Sequence, residues 1–439
     1  MVSGDIGRFM QRYGAKARLI KRCILKNNRL STAVLASCVA CVAQTSFAAE
    51  SISEAFTKGE AHLNLRMRYE SVTEDTSAGD NTGSAVTIRS RLNFKTDDYQ
   101  GFYGFVEMDD VSNFAGSAND SVNGKTAEPL IADPVGTEVN QVFLGYKNWD
   151  TEFKYGRQRL TLDNHRFVGH VAWRQNEQTY DGFTLANSSV DKLKLNYAHI
   201  SNVNRIFGES SPVGDTEMDT HLFNANYSFA AGNLTGYAYL LETDDNFAGF
   251  KRMDTDTYGV RWQGKTGMVA YNLEYASQDS AGDNPADYSA DYMLAEANIS
   301  VAPLVIGVGY ETLSADDEGF FITPLATLFK FQGWTDNFLN KGLGNISEGV
   351  NDTYLTVSGM AYGVSWQLAY HDFSSDQDNA SGDSDLGSEF GGFIAKSWGP
   401  YSAELRYANY SAGDSTPFNG GGLTLVDTQK LWLTFNLNF

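Results

Sequence analysis

From Gly59 to the last residue, apolar and polar side chains alternate with a period of two in one segment after another. In the first segment Ala61, Leu63, Leu65, Met67 and Tyr69 take one parity, while His62, Asn64, Arg66 and Arg68 take the other. Successive side chains of an extended chain point to opposite faces, so this pattern predicts a strand with one apolar and one polar face. The second segment repeats it, with Val86, Ile88, Leu92 and Phe94 set against Thr87, Arg89, Arg91, Asn93 and Lys95. The same alternation returns at Val142/Leu144/Tyr146, Leu193/Leu195/Tyr197, Phe223/Ala225/Tyr227, Tyr258/Val260/Trp262, Leu304/Ile306/Val308/Tyr310, Val364/Trp366/Leu368/Tyr370 and Ala403/Leu405/Tyr407.

The connections between these segments alternate too. Short links fall at 97–100, 148–150, 187–191, 230–233, 264–267, 300–303, 359–363 and 399–400. Longer loops rich in Asp, Gly, Ser and Asn fall near 72–83, 112–137, 160–175, 203–216, 243–254, 277–289, 314–350, 373–385 and 411–426. Eight short turns and nine long loops join about 18 strands and leave both ends on the short-turn side, as in barrels that span an outer membrane. A soluble sandwich also alternates, but it has no reason to sort its loops by length to opposite ends. The last segment sets Leu431, Leu433, Phe435, Leu437 and Phe439 against Trp432, Thr434, Asn436 and Asn438. Pairing it with the first segment closes the sheet and satisfies backbone groups that lipid cannot. The expected fold is all-β: a transmembrane antiparallel up-and-down β-barrel of about 18 strands over residues 49–439. A terminal aromatic resembles the signature read by the barrel-assembly machinery, so Phe439 is the expected contact with it.

Residues 1–48 read as a cleaved signal peptide rather than part of the fold. Arg18, Lys21, Arg22, Lys26 and Arg29 form a basic stretch, residues 30–43 are mostly small and apolar, and Ser46-Phe47-Ala48 has the small-x-small spacing of a cleavage site. Leu35-Ala36-Ser37-Cys38 also fits a lipidation motif. All three cysteines, Cys23, Cys38 and Cys41, lie in this stretch, so the processed chain has no thiol chemistry. The leader holds eight of the 33 Lys and Arg and one of the 54 Asp and Glu, which leaves 25 basic against 53 acidic residues. So acidic a surface repels nucleic acid. The expected surroundings are outer-membrane lipid and lipopolysaccharide, whose phosphates the loop acids could meet through divalent cations.

With the apolar parity outward, the other parity lines the lumen. Arg66, Arg68, Arg89, Arg91, Lys95, Lys192, Lys194, Arg261, Lys396 and Arg406 are then expected to point inward, and Arg157, Arg159, Arg166 and Arg174 cluster on and after the fifth strand. Collecting so many of the basic residues in the lumen suggests a path for anions, since guanidinium forks suit carboxylates, phosphates and sulfates. The alternative is a ladder of structural ion pairs, because Glu60, Glu70, Glu107, Asp181, Glu274, Glu296, Glu311 and Glu404 are also expected inside. Loops 160–175 and 314–350 carry aromatics beside arginines, which suits either a sugar sliding past or plain loop packing. The six histidines, His62, His165, His170, His199, His221 and His371, show neither metal-ligand spacing nor a Gly-x-Ser-x-Gly partner. No motif implies a cofactor.

Several short motifs carry a resemblance. Gly156-Arg157-Gln158, Trp173-Arg174-Gln175-Asn176 leading to Thr179-Tyr180-Asp181-Gly182, Thr257-Tyr258-Gly259-Val260-Arg261, Thr323-Pro324-Leu325-Ala326 and Phe331-Gln332-Gly333-Trp334-Thr335-Asp336 resemble the alginate export family of outer-membrane porins. The resemblance runs from about residue 59 to Phe439. It implies an 18-stranded barrel whose arginine-lined pore passes an anionic uronate polymer by diffusion, with Arg157, Arg174, Asp181 and Arg261 as pore residues. The chain departs in its eight short turns, none of which reads as long enough for a periplasmic plug. Uptake of an acidic oligosaccharide therefore fits as well as export, and a non-selective porin or an adhesive barrel stays open.

Overall fold

The computed structural model describes residues 49–244, 251–378, 382–413 and 425–439. The proposed leader, residues 1–48, lies outside them. After a short helix α1 (Ile52–Thr57) capped by the Ser51 hydroxyl, the chain runs through eighteen strands. They are β1 (Glu60–Thr76), β2 (Gly79–Lys95), β3 (Phe102–Ser117), β4 (Gly136–Asn148), β5 (Thr151–Gln158), β6 (Thr179–Asn187), β7 (Leu193–Asn204), β8 (Asp215–Phe229) and β9 (Gly232–Leu241). Then follow β10 (Thr255–Thr266), β11 (Val269–Ser280), β12 (Ser289–Val301), β13 (Leu304–Leu313), β14 (Val350–Ala361), β15 (Val364–Ser374), β16 (Asp385–Trp398), β17 (Tyr401–Ala412) and β18 (Thr428–Asn438).

Every strand pairs antiparallel with its sequence neighbours, and β18 returns to β1 from Asn64 opposite Asn438 to Glu74 opposite Thr428. Closure extends to the last residue, because Phe439 exchanges backbone hydrogen bonds with Leu63 at 2.9 and 3.1 Å. Among the described residues no strand edge is left for lipid to meet. Met67, Leu92, Val142, Tyr258, Leu368 and Leu433 stand exposed on the outer face, while Arg68, Glu70, Arg89, Arg91, Glu107 and Asp109 on the other parity are buried inside. A hydrocarbon surround makes this inversion of an ordinary globular protein favourable.

Among the described residues the short turns and long loops fall where the alternation places them, with one correction; residues 245–250, 379–381 and 414–424, within the expected loops 243–254, 373–385 and 411–426, lie outside the described residues. Residues 72–83 are not a loop: β1 and β2 are 17 residues each and run as one hairpin to a turn at residues 77–78. About 9–11 tilted residues cross a bilayer, so the tip of this hairpin stands beyond the lipid. There neither face needs to be apolar, and Thr73, Glu74, Asp75, Asp80, Asn81 and Thr82 pair as strand without alternating.

One device recurs three times on the inner wall. Tyr103 on β3 faces Gly145 on β4 and reaches Glu152 on β5 at 2.7 Å. Tyr237 on β9 crosses Gly259 on β10 to Glu274 on β11 at 2.9 Å, and Tyr354 on β14 crosses Gly309 on β13 to Glu296 on β12 at 2.9 Å. A Cβ built on any of these glycines would lie 2.1–2.2 Å from the tyrosine ring. Glycine lets the ring lie flat across the neighbouring strand, where it covers exposed backbone and carries its hydroxyl to a carboxylate two strands away.

Candidate functional site: the lumen and its two inward loops

Two long loops fold back into the barrel. Residues 159–178, between β5 and β6, are held by charge against the β1–β4 wall. The Arg174 guanidinium bonds both Glu70 oxygens at 3.1 and 2.8 Å and both Asp133 oxygens at 3.0 and 2.7 Å, with all three side chains buried. Burial lowers the proton affinity of Arg174, but Asp133 and Glu70 outweigh it and the guanidinium binds its proton more tightly than usual. Glu177 lies among Arg91, Arg159 and Arg89, bonding the first two. Burial would raise its carboxyl, yet these three cations hold it down at about 2. Arg159 also bonds Glu107, and Arg91 bonds Asp109 through Nε at 2.6 Å.

Residues 314–349, between β13 and β14, lie against the first loop. Val168 and Leu325 form a parallel bridge, the Gly169 amide donates to the Leu325 carbonyl at 2.9 Å, and the Thr327 amide donates to the His165 carbonyl at 3.0 Å. Trp173 stacks on Phe329 with centroids 3.8 Å apart. Arg166, fully buried, meets Glu311 of β13 at 2.9 Å, and the amides of Trp334 and Thr335 donate to the Glu389 carboxylate of β16 at 2.6 and 3.0 Å. An apolar core of Leu162, Val168, Tyr180, Leu222, Tyr239, Tyr292, Phe321 and Leu325 fills the lumen between them on the β6–β13 side. The loops thus narrow the barrel from two directions.

What they leave open is a cavity of about 760 Å³, lined among others by Arg261, Lys265, Asn272, Glu296, Lys330, Phe331, Trp334, Tyr354, Gln367 and His371. At its edge the Arg406 guanidinium sits 4.2–5.6 Å from the ring centroids of Trp334, Phe393, Trp173 and Phe329, while its Nε bonds Glu404 at 2.9 Å. Such a cation among aromatic faces holds a fixed position without being fully neutralised. Burial lowers the Lys330 amine from its usual range, and the Arg261 charge adds to that. Burial, with Lys330 and His170 close by, pushes the His165 imidazole down to about 4; burial lowers His170 as well.

The basic residues expected inside separate into groups. Arg66, Arg68, Arg89, Arg91, Arg159, Arg174, Arg261 and Arg406 are brought to the lumen. Most are held there by carboxylates or by loop carbonyls: Arg66 donates to Ala172 and Arg174 carbonyls at 2.9 and 3.2 Å, and Arg68 to the Trp173 carbonyl at 2.6 Å. Arg89 bonds Asn64 at 2.7 Å and lies 3.7 Å from Glu177. Arg157 and Asp181 pair at 2.9 Å, but they share the parity of Tyr155 and Leu185, which are exposed on the outer wall, so the pair sits outside near the long-loop rim. Lys192 lies in the turn 188–192 beside Asp191 rather than on a strand, and Lys194 is exposed near the same end of β7. Lys396 shares the outward parity of Ile394. Sequence reasoning missed Asp133, Glu177, Lys330 and Glu389 as the groups that hold or complete the constriction. Asp133 and Lys330 sit in loops without a period, and only the folded register brings their partners to them.

A family model described as alginate export matches residues 53–310, more than half the chain. No curated protein matches. Among solved structures, Pseudomonas aeruginosa OccK9 (OpdG) superposes with a TM-score of 0.65 at 14% identity over 88% of this chain and 100% of its own. Acinetobacter baumannii OccAB2 does so with a TM-score of 0.64 at 16% identity over 88% and 99%, and P. aeruginosa OpdK, solved with vanillate, with 0.64 at 12% over 88% and 99%. These likenesses are of fold.

Proposed function

The chain belongs to the alginate export family of outer-membrane channels, and from that premise we propose that it passes anionic, uronate-type oligosaccharides through its lumen by diffusion. The observation that carries the reading is the composition of the open cavity. Arg261, Lys265 and Lys330 supply cations, Asn272 and Gln367 supply amides, and Phe331, Trp334 and Tyr354 supply ring faces; the three carboxylates in the same lining are already engaged, Glu311 by Arg166 and Tyr292, Glu296 by Tyr354 and Asn298, and Asp352 by His371. Guanidinium and ammonium groups pair with a carboxylate, amides bond hydroxyls, and aromatic faces cover the apolar side of a sugar ring. Arg406 with its four rings adds a second such station where the two loops meet. The arginines neutralised by Glu70, Glu107, Asp109, Asp133 and Glu177 act differently: they fix the loops that shape the passage.

The short turns leave direction to the concentration gradient. Export through a leader cleaved after Ala48, and delivery to the assembly machinery through the Phe439 end, complete the proposal. The test is current block in planar bilayers. Oligouronates should block at lower concentration than neutral oligosaccharides of equal length, and Arg261→Ala or Arg406→Ala should weaken the block by about tenfold, the worth of a charge-assisted hydrogen bond. Equal block by charged and neutral sugars would remove the uronate part of the proposal.

A further inference from the structure

The outer wall carries a constellation that passage through the lumen does not use. His199 on β7 and His221 on β8 stand directly opposite each other in the strand register, with ring centroids 5.0 Å apart. Asp219, two residues before His221 and on the same parity, places Oδ1 2.8 Å from His199 Nε2 and 3.7 Å from His221 Nε2. The ligand atoms of all three lie within 4.8 Å of one another. From this geometry we propose a transition-metal site, of the zinc class, clasping β7 to β8 on the outside of the barrel.

Three observations carry it beyond a single ion pair. A tetrahedral ion bound at about 2.0–2.1 Å holds its ligand atoms about 3.3 Å apart. The two Asp219 distances bracket that value, and the third ligand separation lies within 4.8 Å. The Tyr197 hydroxyl bonds His221 Nδ1 at 2.9 Å, which leaves Nε2 as the atom turned toward Asp219 and His199. A partner on the far ring nitrogen is what fixes the tautomer and orientation of a metal-binding histidine. Finally, a histidine–aspartate bond accounts for His199 alone, whereas the second imidazole, two residues along β8 from Asp219, lies 3.7 Å from the same oxygen.

The donor set decides the ion. Two imidazole nitrogens with one carboxylate suit zinc or copper, while calcium and magnesium prefer all-oxygen shells. Phe183, Tyr197 and Phe223 pack around the histidines on the outer face, and the side chains are 28%, 56% and 40% exposed for His199, Asp219 and His221. The site therefore stands in an aromatic belt, with at least one coordination position open to water. Immediately beyond it β7 and β8 shift register between Ile200 and Asn202. A metal there ties the strands together just below the bulge and the loop 205–214.

The test uses the full barrel folded in detergent without a polyhistidine tag. Calorimetric titration with Zn²⁺ should give one ion per chain, and Cu²⁺ should give a nitrogen-coordinated paramagnetic resonance spectrum. His199→Ala or His221→Ala should weaken Zn²⁺ binding by more than tenfold, Tyr197→Phe by about tenfold, and His62→Ala not at all. Folding of each variant is verified by its heat-modifiable electrophoretic migration. Absence of saturable binding by the unsubstituted barrel would overturn the proposal. So would unchanged affinity in a His199→Ala/His221→Ala double variant, or Ca²⁺ bound as tightly as Zn²⁺.

Discussion

Arg174 shows how a single residue sets the lumen. It is buried with two carboxylates from different parts of the chain, and removing it would leave Glu70 and Asp133 unpaired inside the wall. Arg174→Ala should therefore cost about 3–5 kcal/mol, the usual penalty for breaking a buried ion pair, seen as a lower urea midpoint of unfolding. It should also enlarge the conductance, because loop 159–178 loses its tether. Acid acts on the same loop through His165 and His170. Both imidazoles bind protons less readily in the folded protein than when exposed, so the unfolded chain takes up more protons and stability falls as the pH falls. For His165 the window runs from about 6.5 down to about 4, and a pH series of melting temperatures should drop across it, with a smaller drop in His165→Gln. At this scale the sequence is only partly legible. Parity puts Arg66, Arg89, Arg261 and Arg406 inside, but Arg157 continues the outward parity of Tyr155, although its place in the basic cluster of the fifth strand and the resemblance both pointed to the pore. His199 and His221 are unreadable from linear spacing, because only the register of β7 against β8 makes them neighbours.

Among the elements, strands were legible wherever lipid imposes a side. Beyond the lipid that constraint lapses, and the polar tip of the β1–β2 hairpin reads as a loop although its backbone pairs to the end. The glycine–tyrosine–glutamate crossings show a further constraint that alternation does not reveal. Gly309→Val would drive a side chain into the Tyr354 ring and separate its hydroxyl from Glu296. A cost of about 1–3 kcal/mol is expected from overpacking, measured by urea unfolding in detergent. The inward loops were foreseen as places of aromatic and basic residues, but not their anchors. Glu389 receives the Trp334 and Thr335 amides, so Glu389→Ala should free loop 314–349 and give larger, noisier single-channel currents.

The whole molecule is one closed wall between hydrocarbon and water, with two loops turned into it. Fold class, strand number and loop sidedness could be derived from the sequence because a membrane barrel repeats one rule along its length. The shape of the passage could not, since it depends on which carboxylate finds which arginine across the lumen. The same wall predicts unequal penalties on its two faces. Leu433→Arg, in the middle of β18 and exposed outward, should cost about 2–4 kcal/mol of folding stability, whereas Gln367→Arg, on the inner parity of β15 and facing the open cavity, should alter conductance more than stability. The central claim is that cations facing the open cavity govern what passes. Its most direct test is the reversal potential of the purified barrel in a planar bilayer under a salt gradient. The account predicts anion preference, reduced in Arg261→Ala and reduced further when Arg406→Ala is added; a clear cation preference in the unsubstituted protein would contradict it.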